Sequence, residues 1–165
     1  SYIYETFEQL GRIPDHVIVP VGNGTLYIGV MKALEHLLES GAIDHFPKVI
    51  ALQSELCDPL YEAVQQGKDD AVAVDVKPTI AEGIAIGKPL RAKEILAYAK
   101  KHDVTFITAP ENRLLAWRET MAKKGFYIEH TTAANFAAWE KYCVEHPGAT
   151  DVLITLCGAG IKSDH

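Results

Sequence analysis

The stretch "HVIVPVGNGTLYIGVMKALEHLLESG", residues 16–41, decides the fold. His16 to Val21 (HVIVPV) form an apolar, β-branched run without alternation, the pattern of a strand buried on both faces. Pro20 would cost that strand a ladder bond unless it stands at its end. The run breaks at Gly22-Asn23-Gly24-Thr25 and resumes as a helix over 26–40. Val30, Met31, Leu34, Leu37 and Leu38 make one apolar stripe on it, and Gly41 supplies the C-terminal stop. A strand that enters a helix through a glycine turn leaves unpaired N–H groups and the positive end of the helix dipole at the turn, a ready place for an anion. Gly29 comes too late to complete G-x-G-x-x-G, and Tyr27 stands where the third glycine of a dinucleotide loop would be. No G-x-x-x-x-G-K-[ST] follows, so a triphosphate loop is excluded. Two readings of the turn remain. Backbone N–H groups at 22–26, with the Asn23 amide and the Thr25 hydroxyl, can surround a monophosphate. Equally, Asn23 tolerates unusual backbone angles and Thr25 can cap a helix, which makes a plain tight turn.

Outward from this stretch the alternation continues. Residues 2–10 predict an amphipathic helix with Ile3, Phe7 and Leu10 on one face and Gly11 as its stop. "KVIALQ" (48–53) is a second buried strand, and helix 58–66 follows with Asp58 as N-cap and Pro59 at its first position. Residues 67–80 are loop-like, with "AVAVDV" open to a short edge strand. Then come helix 90–102, strand 103–108, helix 111–124, a short strand at 126–129, helix 131–145 and a last strand at 151–156. Strands alternating with helices predict a single α/β domain over 1–165, its largely parallel sheet covered on both faces. Ligands of such sheets bind beyond the carboxyl ends of the strands. Two glycine-bearing segments leave strands there, 22–25 and Gly158-Ala159-Gly160.

Composition narrows the function. The chain has 165 residues, 48% of them hydrophobic, and a net charge of −6 with no basic stripe, which argues against nucleic acid as a partner. No apolar run reaches the ~20 residues that span a bilayer, and "SYIYETFEQL" does not read as a signal peptide. Cys57, Cys143 and Cys157 are odd in number and widely spaced, which suits reduced thiols in a cytoplasmic protein. The seven histidines contain no pair at metal-ligand spacing, so no metal site is expected.

Four blocks, in order, carry a resemblance: "PDHVIVPVGNGT" (14–25), "PTIAEGIAIGKPLRAKEIL" (78–96), "GFYIEHTTAANFAAWEKY" (125–142) and "VLITLCGAGIK" (152–162). Together they resemble the fold type II pyridoxal-phosphate enzymes of the tryptophan synthase β-subunit superfamily, with threonine synthase-like proteins nearest. The resemblance implies that Gly22, Asn23, Gly24 and Thr25, with the N–H of Leu26, bind the phosphate of pyridoxal 5'-phosphate. It implies that Ala81, Glu82 and Gly83 lie beside the ring, Glu82 toward its 3-hydroxyl side. Cys157 occupies the position that faces the pyridine nitrogen, where a neutral thiol leaves that nitrogen largely unprotonated and suits elimination and replacement chemistry. Each of these has a plainer alternative: Cys157 as a buried small hydrophobe, Glu82 as a solvated charge. Glu129 and Thr132 are expected to fix the strand-to-helix junction, Thr132 as a cap. His130 stands where the family commonly has proline, and Lys162 reads as solvated.

The resemblance also implies what is missing. These enzymes hold the cofactor as a Schiff base with a lysine in an N-terminal segment, and no lysine here lies in a matching context. The substrate-carboxylate loop has no match either. The chain is therefore expected to be a C-terminal part of the large cofactor-binding domain, with no catalytic residue of its own and inactive alone. The parent activity implied is conversion of O-phosphohomoserine to threonine, or else a threonine/serine dehydratase-type ammonia-lyase. A noncatalytic phosphate- or small-molecule-binding α/β module is the alternative from another class. Expected partners are an amino-acid substrate, the missing N-terminal part and, through an unpaired apolar face, a second copy in a homo-oligomer.

Overall fold

The computed structural model describes residues 2–155. Helix α1 (Tyr2–Leu10) leads into strand β1 (His16–Pro20), helix α2 (Thr25–Glu39), strand β2 (Lys48–Ser54) and helix α3 (Pro59–Gln65). An extended stretch with a 3-10 turn at Glu82–Ile84 precedes helix α4 (Ala92–His102) and strand β3 (Thr105–Ala109). A second 3-10 turn (Glu111–Arg113) opens helix α5 (Leu114–Lys123), followed by helix α6 (His130–Glu145) and strand β4 (Val152–Leu153).

The four strands form one parallel sheet in the order β3-β2-β1-β4, as the alternating pattern predicts. The unbroken apolar runs are explained by two cores. Val17, Val19, Val49, Ala51 and Phe106 pack with Tyr27, Met31, Leu34 and Ile95 on one face of the sheet. Ile18, Ile50, Leu52 and Ile107 pack with the small residues Ala133, Ala134, Ala137 and Ala138 of α6 on the other. Successive strands thus bury both of their faces, and no alternation with polar residues is left to see. The chain lays down β1, β2 and β3 in one direction and then returns to place β4 on the far side of β1. That reversal puts the topological switch point at β1, where the crevice of an open α/β sheet forms.

Pro20 is tolerated because of where the ladder stops. The Val21 N–H donates to Leu52 O at 2.9 Å, so the neighbouring position 20 faces away from β2. On that other side, the register with β4 is His16↔Val152 and Val17↔Leu153, well short of Pro20.

Several expectations are corrected. Leu10 is exposed rather than on the buried face of α1, which rests on Ile3 and, partly, Phe7. No strand forms at 126–129: the Phe126 N–H turns back to Met121 O, and Arg118 Nε donates to Ile128 O, so the backbone is used locally. Residues 71–76 are not an edge strand either. Val72 N–H donates to Pro59 O and Lys77 N–H to Leu56 O, which lays the stretch across the start of α3. The predicted helix 111–124 is a 3-10 turn followed by α5. The last strand occupies 152–153, and its predicted end at 156 lies outside the described residues. Asp58 precedes Pro59 as expected but makes no side-chain cap. The capping group is Gln53 at the end of β2, whose Oε1 accepts from the N–H groups of Leu60 and Tyr61 at 2.9 and 3.1 Å. Among the described residues no helix is long and apolar enough to cross a membrane.

Candidate functional site

The turn after β1 lies at the switch point. Gly24 holds the N-cap position of α2 with φ +91°, a left-handed conformation that favours glycine. The first helical bond runs from Ile28 N–H to Gly24 O at 2.8 Å, so the amides just before Ile28 have no partner within the helix. Thr25 is the first helical residue and not the cap, a correction to one reading of the sequence. Asn23, Thr25 and Leu26 are exposed, whereas Gly22 and Gly24 are buried, so the glycines face protein and their neighbours face outward.

What the glycines face explains them. A methyl group added to Gly22 would lie 2.8 Å from Gly83 O and 3.3 Å from Ile84 Cα. One added to Gly83 would lie 2.8 Å from Thr131 Oγ1. One added to Gly24 would collide with the Ile95 side chain of α4. Three segments distant in sequence therefore meet: the 22–25 turn and the 3-10 turn at Glu82–Ile84 in near backbone contact, and the start of α6 through the Thr131 side chain. Ala81 and Ile84 anchor the middle segment in the second core, while Glu82 and Gly83 are exposed beside the turn.

At the start of α6, Glu129 is the extended N-cap residue (φ −79°, ψ 169°) and His130 is the first helical residue. That first position is one proline also favours, so the junction keeps its shape with histidine there. The His130 ring is buried, and its Nε2 accepts from Arg118 Nη1 at 2.7 Å, since a guanidinium can only donate. Thr132 lies inside the first turn of α6, fully buried, and is not its cap. Next along the helix, Asn135 Nδ2 donates to Thr155 O at 3.2 Å just past β4. Asn135 Oδ1 and Thr155 Oγ1 are buried without a hydrogen-bond partner among the described residues.

Gln53 ties the turn to the sheet: besides capping α3, its Nε2 donates to Val21 O at 3.3 Å, one residue before Gly22. Sequence reasoning misses Gln53, Thr131 and Asn135. Only Gln53 carries a signal, as a lone amide closing an apolar strand. Cys157, Gly158-Ala159-Gly160 and Lys162 lie outside the described residues. Cys57 and Cys143 are free thiols, both pushed above the usual thiol range by burial. Among the described residues no cluster of three metal-ligating side chains occurs.

A parallel α/β sheet with a glycine turn and an open helix N-terminus at its switch point defines a class, the α/β proteins that take a ligand at the carboxyl edge of the sheet. The pattern of the pyridoxal-phosphate dependent enzyme family matches residues 1–158, and the chain belongs to that family. It is 29% identical to a threonine synthase of Methanocaldococcus jannaschii, over 96% of this chain and 40% of the relative. Over a shorter span of 84 residues it is 37% identical to an L-threonine ammonia-lyase of Thermotoga maritima, covering 50% of this chain and 19% of the relative. Among solved structures, a serine racemase from Dictyostelium discoideum superposes with a TM-score of 0.70 at 22% identity, covering 94% of this chain and 47% of that one. The chain thus spans about two fifths of the length of the threonine synthase it matches.

The family's cofactor is pyridoxal phosphate, and the residues present fit its phosphate. The open amides at the start of α2 and the exposed Asn23 and Thr25 offer donors. The two buried glycines leave no Cβ between the backbone and its neighbours.

Proposed function

We propose that this chain is the phosphate-binding part of a pyridoxal-phosphate dependent lyase of the threonine synthase kind. The observation that supports it best is the meeting of the Gly22–Thr25 turn, Gly83 and Thr131 at the switch point of the sheet. Gly22, Asn23, Gly24, Thr25 and the Leu26 N–H hold the phosphate against the positive end of α2. Glu82 and Gly83 border the ring. Cys157, on the strength of the resemblance alone, takes the pyridine nitrogen. When bound, the cofactor supplies the electron sink that makes bonds at an amino acid's α-carbon breakable. This chain's own residues bind and orient it, and the acid/base lysine comes from outside these 165 residues, as does the substrate-carboxylate loop. The chain by itself is then inactive, with weak, noncovalent affinity for the cofactor. The complete protein is a cytoplasmic homo-oligomer that converts O-phosphohomoserine to threonine.

An ammonia-lyase acting on threonine or serine is the second reading, favoured by the 37% identity to the Thermotoga relative over half of the chain. One assay separates them. Phosphate and threonine released from O-phosphohomoserine by the complete protein support the first reading, and ammonia and 2-oxobutanoate released from threonine support the second. For the 165-residue chain, incubation with pyridoxal phosphate and borohydride should give no turnover and no stoichiometric labelling. Specific labelling of one lysine together with turnover would overturn the assignment of the lysine elsewhere.

A further inference from the structure

The 3-10 turn at Glu82–Ile84 is reached through a long connection that has no regular secondary structure. Its approach is held by one carboxylate. Glu111, the first residue beyond Pro110 at the carboxyl end of β3, accepts twice: Oε2 from the Thr79 hydroxyl at 2.6 Å and Oε1 from the Ile80 N–H at 2.7 Å. The Thr79 oxygen then accepts from the Ala81 N–H at 3.1 Å, so three consecutive residues are fixed by one side chain and its hydroxyl partner. Glu111 is itself tied down, because its N–H donates to Glu55 Oε1 at 2.9 Å and the Glu55 N–H donates to Ala109 O at 3.2 Å. The carboxyl ends of β2 and β3 thereby share a brace. Two residues after Ala81 comes Gly83, whose carbonyl meets Gly22 and whose α-carbon meets Thr131. Hydrogen bonds to an ionised carboxylate are the short, strong kind, suited to fixing a segment that lacks a ladder of its own.

From this geometry we infer that Glu111 is a positioning residue of the cofactor site: its carboxylate clamps Thr79 and Ile80 and so holds Glu82 and Gly83 against the Gly22 turn, setting the space left for a pyridine ring. The inference rests on the cofactor reading above. Glu111 touches the segment and not the ligand, so its loss acts on what lies beside the ring and leaves the phosphate amides in place. Inorganic phosphate senses the turn alone, and pyridoxal phosphate senses the turn and the bordering segment.

The test compares the wild-type chain with Glu111→Ala, Glu111→Gln and Thr79→Val, the last removing the Thr79 bond to Glu111 and the acceptor of the Ala81 N–H while leaving the Ile80 bond, should the first disturb folding. Titrations with inorganic phosphate and with pyridoxal phosphate are followed at the amides of residues 22–26, and hydrogen exchange is followed at Ile80 and Ala81. Removing two bonds to a charged acceptor predicts exchange at those amides about tenfold faster or more in Glu111→Ala, with core amides of β2 unchanged. Pyridoxal phosphate should bind about fivefold more weakly while phosphate binds within about twofold of wild type. Glu111→Gln, which keeps an acceptor for Ile80, should recover most of the loss, and Thr79→Val should fall between in pyridoxal phosphate affinity and in exchange at Ile80. Equal weakening of both ligands, or unchanged pyridoxal phosphate affinity in Glu111→Ala, overturns the clamp. Failure of the wild-type chain to bind either ligand at residues 22–26 overturns the cofactor reading itself, whatever the exchange rates show.

Discussion

Replacing Gln53 by leucine should destabilise the chain through polar groups left behind, not through lost volume. Gln53 is wholly buried and makes three bonds: from Leu60 N–H, from Tyr61 N–H and to Val21 O. Leucine fills nearly the same space and satisfies none of them. Two amides in the first turn of α3 then lose their acceptor. An unsatisfied buried group costs about 1–3 kcal/mol. Two such groups cost about 4 kcal/mol, and the added apolar surface returns roughly 1–2 kcal/mol. The net loss is about 2–3 kcal/mol, or a drop in Tm of roughly 5–10 °C for a domain of this size. Urea unfolding of the wild-type chain and Gln53→Leu, followed by far-UV circular dichroism, measures it as a shift in midpoint at constant slope.

Asp58 offers an escape route. It sits at the N-cap position of α3 without capping it, and a rotation of its side chain could take over one amide. The double change Gln53→Leu with Asp58→Ala closes that route and should cost more than the sum of the two single changes. A loss below about 0.5 kcal/mol in that double variant would refute the assignment of Gln53 as the cap, because surface-like changes fall within that range.

Gly22→Ala should weaken pyridoxal phosphate binding sharply and destabilise by about 1–3 kcal/mol, since its methyl group meets the Gly83 backbone, which cannot step aside. Gly83→Ala should be milder, because what it meets is the end of the Thr131 side chain; calorimetric titration of both variants checks the order. Acid should destabilise the chain below about pH 4. Lys101 and His102 hold the Glu35 carboxyl below its ordinary range, as Arg113 does for Glu140 and Arg12 for Asp151, so these groups take up protons more readily unfolded than folded. Asp58, raised by burial, works in the opposite direction over the same range, and thermal melts between pH 6 and pH 3 give the balance. In the native chain, iodoacetamide should reach the half-buried Cys143 before Cys57, whose buried thiol should react only on unfolding; peptide mass spectrometry reads the order.

The parallel sheet was legible because its strands are buried on both faces, and "HVIVPV" and "KVIALQ" have no polar alternation to confuse them. The segment "FYIE" shows the limit. Its residues have strand propensity, yet Arg118 takes the Ile128 carbonyl and Met121 takes the Phe126 amide, so no neighbour strand is offered a ladder. Propensity describes the residue, whereas pairing depends on what lies alongside. The cap of α3 failed for a related reason. Asp58 has the right type and position, but a donor set at the end of a buried strand is better served by a buried amide already anchored to Val21 O.

For the site, the sequence showed which residues carry special backbone freedom and not what each one touches. Gly24 is accounted for by its own backbone, a left-handed N-cap that favours glycine. Gly22 is not. Its φ places no demand on it, and the reason for glycine there is the carbonyl of Gly83, far along the chain. Gly83 in turn owes its lack of a side chain to Thr131. Each glycine answers to a partner on another element, so the local sequence around either one is consistent with an ordinary turn. Only when the three elements are brought to the switch point does one constraint account for all of them. The backbone of the Glu82–Ile84 segment must approach the 22–25 turn closely, and every side chain that would hold it off is absent. That mutual dependence is also why the clamp at Glu111 bears on the space beside the turn: releasing Ile80 lets Gly83 draw back from a Gly22 turn that itself stays in place.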